Sequence, residues 1–395
     1  MRTTYVPPLT PETAKELVRK TGPQPAAEAP KAPARGDVLL VGLDLGTNTT
    51  CLKATNLGAP ELVVNEILPT LVGYAREGIV ENLLPDNAKV LFGQLAARNR
   101  MYLRMVPPLA DGVVADMAAA HDFIRYLRQL IPAAPGTELR VVAGLPATAD
   151  RAARENLCSV LGGFFHKAVL IPEPFLAALG FRDETRLADP AYLDPVRNSI
   201  FVDIGAGTTD VCLVQGYFPT GDDQLSVPFA GDKVDALLQA AIREAYPDVN
   251  LSLVKVREIK EAFSYVGKLE GAVAVNVVIG GKPRTLDLAE ALGDACQQLL
   301  LKVLDCVKAI IAQASTDSVA DLLQNIIVTG GGSRIRNLGS RIRNLGPELQ
   351  RLLTEEGYEK PRVHIVGDRH KEHIAAGALV AGRQTKENQW ITLGG

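Results

Sequence analysis

The sequence predicts an α/β fold made of two related lobes, and three observations predict it. Two short stretches read alike: Asp44-Leu45-Gly46-Thr47-Asn48-Thr49-Thr50 and Asp203-Ile204-Gly205-Ala206-Gly207-Thr208-Thr209. Each follows an apolar strand (Val38–Leu43 and Ser199–Val202), and each runs into an extended stretch carrying Cys-Leu, at Cys51-Leu52 and Cys212-Leu213. The chain has 395 residues, long enough to house the two copies in two sizeable lobes.

The repeated device suits phosphate. Small residues let the backbone turn sharply and bring N–H groups onto an anion. The hydroxyls of Thr47, Thr49, Thr208 and Thr209 add donors. The aspartate ending each strand would stand beside the phosphates, where a cation makes a carboxylate tolerable. Asp44 and Asp203 therefore point to Mg²⁺ held through water, because Mg²⁺ sheds its waters reluctantly. A dinucleotide fold or a Walker A loop would lead into a helix. Here Thr50–Ala54 and Val211–Gln215 read as extended, so two hairpins are expected. One such loop alone is an ordinary glycine-containing turn; the second copy sets the pair apart.

Composition excludes several classes. The chain is 47% hydrophobic and 22% charged with a net charge of −3, which gives no reason to expect nucleic acid as a partner. Cys51, Cys158, Cys212, Cys296 and Cys306 are scattered without a CxxC and read as small core residues of a reducing compartment. The histidines form no ligand cluster; His370 and His373 read as a solvated pair at a helix start. No apolar run reaches about 18 residues, so no transmembrane segment is expected. The N-terminus lacks the apolar core of a signal peptide, and a cytoplasmic location is expected.

In chain order, residues 1–36 are broken by Pro7, Pro8, Pro11, Pro23, Pro25, Pro30 and Pro33, with one helix expected over Pro11–Thr21. This reads as a flexible tail, either a plain extension or a docking segment for a cargo or membrane partner. Lobe I is expected over 37–192 plus 362–395, with 65–107 as a small subdomain. Lobe II is expected over 193–361, with 232–287 as its small subdomain. In lobe I, Glu61–Val64 reads as a strand and Pro108–Gly112 as a turn. His121–Ile131 carries Phe123, Ile124, Leu127 and Leu130 on one helical face. Leu139–Leu145 and Ala168–Ile171 read as strands, with a helix over Asp150–Leu161 between them. Pro172-Glu173-Pro174 leads into a helix over Phe175–Gly180. In lobe II, Phe229–Asp235 opens a helix reaching about Ala245. Ser252–Val266 reads as a helix, Val273–Ile279 as a strand and Leu286–Ser315 as one long or broken helix. Asn325–Thr329 is a buried strand ended by Gly330-Gly331-Gly332, Arg362–Val366 a last strand, and Ile374–Gly382 a small-residue helix. Ser333–Gly339 and Ser340–Gly346 are both Ser-Arg-Ile-Arg-Asn-Leu-Gly. Seven residues make about two helical turns, so this duplication keeps a helix face and doubles a basic patch. It reads either as a tolerated slip or as a contact with an acidic partner or neighbouring subunit.

Together these pieces resemble the actin superfamily, whose fold is shared with Hsp70 ATPase domains and sugar kinases. The two aspartate loops resemble its first and second phosphate motifs. Ile326–Ser333 resembles its adenosine motif. Pro172-Glu173-Pro174 with Ala177-Ala178, and the helix over Ile374–Gly382, resemble its connecting motifs. Val256-Arg257-Glu258-Ile259-Lys260-Glu261 resembles actin's nucleotide-contacting helix, and Pro108–Asp116 resembles the MreB-like bacterial actins. The whole is most similar to the MamK family of filament proteins, from which the tail and the doubled element depart.

The resemblance implies two ribonuclease-H-like lobes, divided into subdomains IA, IB, IIA and IIB, around an ATP cleft. Asp44 and Asp203 would orient Mg²⁺ and its waters. Gly46, Thr47, Asn48, Thr49, Gly205, Ala206, Gly207, Thr208 and Thr209 would grip the phosphates, with Asp203 and Thr209 also in catalytic roles. Lys260, Glu261, Gly330, Gly331, Gly332 and Ser333 would bracket the adenosine, with Gly231 and Asp235 near the ribose. Lys53 would reach a phosphate, and Glu173 would order the attacking water. The implied function is an ATPase that polymerises with itself, hydrolysis controlling filament turnover, with organelle or magnetosome positioning as a further expectation. A small-molecule kinase, a chaperone-type ATPase and a nonpolymerising assembly adaptor share the fold. The short stretch after the last helix is expected to leave no room for a chaperone's substrate domain, and no sugar-pocket motif is evident.

Overall fold

A computed structural model of the chain describes residues 38–147, 149–268, 272–331, 345–366 and 371–394. The expected tail over 1–36, His370 and nearly all of the doubled element at 333–346 lie outside them.

The chain opens with β1 (Val38–Leu45) and β2 (Thr49–Asn56), a hairpin whose turn is the first aspartate loop, and continues into β3 (Leu62–Pro69). β4 (Val72–Ala75), β5 (Val90–Phe92), helix α1 (Gly93–Arg98) and β6 (Leu103–Val106) follow. These strands form a separate small sheet, with Leu84, Leu91, Ala96 and Leu103 as its core. β7 (Leu109–Ala110) and β8 (Val113–Val114) make a tight hairpin. Its corner residues Asp111 and Gly112 both take positive φ, 49° and 75°, the signature of a type I′ turn. Helix α2 (Met117–Gln129) begins four residues before the expected His121, because the Asp116 side chain accepts from the Ala119 N–H (2.9 Å) and caps it. Next come β9 (Glu138–Leu145), α3 (Arg151–Leu161) capped by Asp150, β10 (Lys167–Pro172) and α4 (Glu173–Phe181).

The second half repeats the scheme. β11 (Ser199–Ile204) and β12 (Thr209–Val214) flank the second aspartate loop, followed by β13 (Gln224–Val227). Helices α5 (Gly231–Ala245) and α6 (Leu253–Phe263) precede the hairpin of β14 (Ala274–Ile279) and β15 (Lys282–Asp287). The long α7 (Ala289–Gln313), the short α8 (Val319–Leu323), β16 (Ile326–Thr329), α9 (Leu345–Glu355) and β17 (Val363–Ile365) follow. α10 (His373–Gln384) and β18 (Ile391–Thr392) close the chain.

The first large sheet runs β18-β10-β9-β1-β2-β3, the second β13-β12-β11-β16-β17. In both, three antiparallel strands are extended by two parallel ones: β1 pairs with β9 and β9 with β10, as β11 pairs with β16 and β16 with β17. The duplication read from two loops thus extends to whole sheets. Three further details differ from the sequence reading. Lys282–Asp287 is a strand, turned back by Gly280 and Gly281 at φ 55° and 80°, so the long helix starts at Ala289 and not at Leu286. Val363–Ile365 pairs with Ile326–Val328 in the second sheet, so the chain leaves that sheet after 365 and not at 362. Ile391 and Thr392 add an unexpected edge strand against Lys167 and Ala168. No described helix is long and apolar enough to cross a membrane.

Two helices join the sheets. α10 packs on β1 and β9, α4 packs on β11 and β12, and the helices pack on each other. Their shared core takes Leu40 and Val142 from the first sheet, Phe201, Val214 and Ile327 from the second, and Leu176, Ala178, Ala378 and Leu379 from the helices. Glycines set the spacing. A Cβ on Gly377 would lie 1.8 Å from the Leu176 carbonyl oxygen, one on Gly180 2.0 Å from that of His373, and one on Gly42 2.1 Å from that of Ala375. Gly377→Ala or Gly180→Ala must force the helices apart and should cost about 1–3 kcal/mol or more, an overpacking penalty against backbone. Gly58→Ala, where a Cβ meets nothing within 4 Å, should melt like wild type. Thermal melts of the three variants check this; equal melting temperatures would show that the crossing is not tight.

Candidate functional site

A cleft of about 520 Å³ lies between the two sheets, with both aspartate loops facing it. The β1–β2 turn supplies Asp44, Gly46, Thr47, Asn48 and Thr49; the β11–β12 turn supplies Asp203, Gly205, Ala206, Gly207 and Thr208. Glu173 enters at the start of α4, Gly231 at the start of α5, Lys260 and Glu261 from α6, and Gly330 and Gly331 from the end of β16. Gly330 sits at φ +83°, and a Cβ there would fall 2.3 Å from an Asp203 carboxylate oxygen, so the approach needs glycine.

Three expected residues are not brought into the cleft. Lys53 is buried on β2, where its Nζ donates to Asn65 Oδ1 (2.5 Å) and Glu372 Oε2 (2.7 Å). It stands four residues beyond Thr49, about 13 Å along an extended strand, too far to reach a phosphate at the turn. Thr209 is fully buried and its hydroxyl donates to the Phe229 carbonyl (2.7 Å). Asp235 is buried under the cleft wall, accepting from Arg257 Nε (2.9 Å) and pairing with Lys260 Nζ (2.7 Å), so it positions those cations. Gly332 and Ser333 lie outside the described residues.

The sequence reading missed others. Arg257, Ser264, Leu299, Lys371 and Ile374 line the cleft, as does Gly112 at the tip of the β7–β8 hairpin. That tip touches both loops: the Gly112 N–H donates to Thr47 Oγ1 (3.0 Å), and a Cβ on Gly207 would lie 2.6 Å from the Asp111 Cα. Asp210, directly across the β11–β12 pair from Asp203, accepts from the Ala147 N–H (2.9 Å) and so ties β12 to the end of β9. Asn48 Nδ2 donates to Asp232 Oδ1 (3.3 Å), while Arg257 donates to Asn48 Oδ1 (3.1 Å) and to Asp232 Oδ1 (2.7 Å).

Four carboxyl groups share this space, Asp203 and Asp210 buried, Asp44 and Glu173 half-buried at the cleft wall. Burial pushes Asp44 well above the usual carboxylate range, and the Asp203 charge adds to it. Glu173 is raised by burial and then by Asp44, Asp210 and Asp203. Asp203 is pushed up to about 7 by burial and by Asp210. Asp210 is raised by burial, while hydrogen bonds from Thr208, Ser226 and the Ala147 N–H pull it back. A divalent cation would relieve this repulsion. No cluster of three or more His, Cys, Asp or Glu able to hold a metal directly occurs among the described residues. The carboxylates of Asp44 and Asp203 at the cleft are hard oxygen donors, a kind that suits Mg²⁺ held through its waters.

Residues 39–348 match the sequence profile of the MreB/Mbl protein family. The chain belongs to that family. Among its relatives is the actin-like protein MamK of Paramagnetospirillum magneticum, 32% identical over 305 residues, which are 76% of this chain and 82% of that protein. A solved MamK double helical filament superposes with a TM-score of 0.77 at 29% identity, covering 88% of this chain and 99% of that one. A non-polymerising MamK mutant bound to AMPPNP, also 29% identical with the same coverage, gives 0.62. The actin-like fold implied by the aspartate loops is thus the fold of this MreB/Mbl family member.

The carboxyl cluster has a consequence for stability. The folded Asp203 carboxyl, raised from 3.8 to about 7, favours its protonated form. Its stabilising contribution is full below pH about 4 and is lost as pH rises through about 7. Without nucleotide or metal, the melting temperature should fall over that window. Asp203→Asn should flatten the fall and gain about 1–3 kcal/mol at pH 8. Parallel pH profiles for the two proteins would refute the repulsion.

Proposed function

We propose that this chain binds ATP with Mg²⁺ in the cleft, hydrolyses it, and assembles head-to-tail into cytoplasmic filaments whose turnover follows hydrolysis. The observation that carries the reading is the pair of facing aspartate loops on duplicated sheets, with Glu173 between them. The relatives support it: MamK is solved as a double helical filament, and its mutant with AMPPNP bound.

In this reading Gly46, Thr47, Asn48 and Thr49 grip the phosphates from one side and Gly205, Ala206, Gly207 and Thr208 from the other. Lys260, Glu261, Gly330 and Gly331 face the nucleoside. Bound Mg²⁺ would neutralise the phosphates and, through water, Asp44 and Asp203. Glu173 would order and deprotonate the attacking water; its burial and acidic neighbours raise its proton affinity, as a general base near neutral pH requires. Gly144 leaves it room, since a Cβ there would lie 2.8 Å from Glu173 Cγ.

A use for the nucleotide cycle follows from the surface. Val80, Leu83 and Met101 are exposed on the small β4–β6 unit, and Leu253, Val254 and Val278 on α6 and the β14–β15 hairpin. Exposed apolar residues on two different surfaces suit a heterologous contact, which repeats into a polymer when its rotation does not close a ring.

Two variants and one image test the proposal. Asp203→Ala should lose Mg²⁺-dependent ATP binding in calorimetry. Glu173→Gln should bind ATP and assemble, yet release phosphate roughly 10²–10⁴-fold more slowly, giving longer-lived filaments. Wild-type phosphate release in that variant would assign the base elsewhere. Electron microscopy with ATP and Mg²⁺ should show filaments; monodisperse particles at every concentration would favour an adaptor or small-molecule kinase.

A further inference from the structure

The first loop does more than face the cleft. Its Asn48 side chain reaches across to the other half and is held by both ends of its amide. Nδ2 donates to Asp232 Oδ1 (3.3 Å), and Oδ1 accepts from Arg257 Nη1 (3.1 Å). The same Asp232 oxygen accepts from Arg257 Nη2 (2.7 Å), which closes a three-membered ring of contacts. Behind it, Arg257 Nε donates to the buried Asp235 (2.9 Å), which fixes the guanidinium against α5. Asp232 is in turn fixed to the second loop, because its N–H donates to the Ala206 carbonyl (2.7 Å) and the Gly231 N–H to that of Gly205 (3.2 Å). On the far side, Asn48 is fixed by its carbonyl accepting from the Thr70 N–H (3.0 Å) and by the Thr70 hydroxyl donating to Gly46 O (2.7 Å). The two loops are therefore joined through one side-chain amide.

We propose that the Asn48–Asp232–Arg257 contact is a latch across the cleft that governs how fast nucleotide exchanges. The inference rests on the ATP-binding reading above. The chemistry suits a latch. Each contact is a single, partly solvated hydrogen bond, strong enough to bias an opening equilibrium and weak enough to break on each cycle. An amide is suited to the role because it gives a donor to the carboxylate and an acceptor to the guanidinium from two separate atoms. Widening the angle between the sheets must separate Asn48 from Asp232 and Arg257, since these sit on opposite sides of the cleft. The Arg257–Asp235 contact lies within one side and need not break.

The test is release of a fluorescent N-methylanthraniloyl ATP from the Mg²⁺-loaded full chain by stopped flow. Asn48→Ala and Asp232→Ala should each speed release about tenfold, which corresponds to about 1.4 kcal/mol. The double variant should be no faster than Asn48→Ala alone, because that substitution already removes both contacts across the cleft, to Asp232 and to Arg257. Additive effects, or unchanged rates, would overturn the latch. Amide hydrogen exchange of the nucleotide-free protein gives a readout that needs no ligand. Loops 46–50 and 205–209 should lose protection in both single variants, and equal protection would likewise overturn the proposal. If wild type bound no nucleotide yet the variants showed this loss, the contact would still hold the loops together, but the ATP reading and the exchange role would fall.

Discussion

The approach of α4 to α10 is the constraint on which the remainder of the structure depends. Two sheets must meet around a cleft without collapsing into it, and the joint is a pair of helices packed backbone to backbone. Gly180 and Gly377 face carbonyl oxygens of the opposite helix, and Gly42 does the same for β1 against α10. Any Cβ at these points would widen the joint. Both helices also begin at the cleft: α4 with Glu173, α10 with Ile374, next to Lys371. The spacing of the joint therefore sets where the carboxyl of Glu173 stands relative to both aspartate loops. A change of a few tenths of an ångström in the core moves a group that, under the proposed function, would have to act at hydrogen-bond distance.

Against that joint the fold places an electrostatic cost. Asp44, Glu173, Asp203 and Asp210 are gathered at the cleft wall, the last two buried, and each raises or is raised by another. No packing argument calls for such a cluster; apolar residues would be more stable there. Two extensive apolar cores offset it, one around the second sheet and α7, one around the first sheet and α2. Under the proposed function these groups repel until a cation and phosphates arrive, and their cost to the empty protein is the mirror of the affinity they would give for that ligand.

How much of this was legible follows from how local each signal is. The aspartate loops announced themselves because a turn is specified by its own residues and because it occurs twice. Glu173 was legible through its two prolines. Strand distance was not: Lys53 shares a face with Thr49 but lies a further four residues along, and only the paired strands show that it meets Glu372 instead. Thr209 reads as the last loop hydroxyl, yet it opens β12 and is turned to Phe229. The β14–β15 hairpin could have been found from Gly280-Gly281, a two-residue hairpin signal between extended runs. The contacts of Asn48 could not, because Asp232 and Arg257 are 184 and 209 residues away in sequence. Asp111 and Gly112 were legible as a turn, but not as the tip that touches both loops.

Three of the long-range contacts that sequence cannot show cross between the two halves. Ala147 meets Asp210, the Asp111–Gly112 tip meets Gly207, and Asn48 meets Asp232 and Arg257. Each uses a residue within or beside an aspartate loop, so the groups that would sense a phosphate are those that hold the halves together. Apolar packing at the α4–α10 joint fixes the axis, while these polar contacts fix the angle about it. A ligand gripping both loops adds to the second set without disturbing the first. It can then shift the angle only by the difference between its affinities for the open and closed forms. Under the proposed function that difference is what reaches a neighbouring subunit, because the exposed apolar residues near Val80 and Val278 ride on opposite halves and move with the angle.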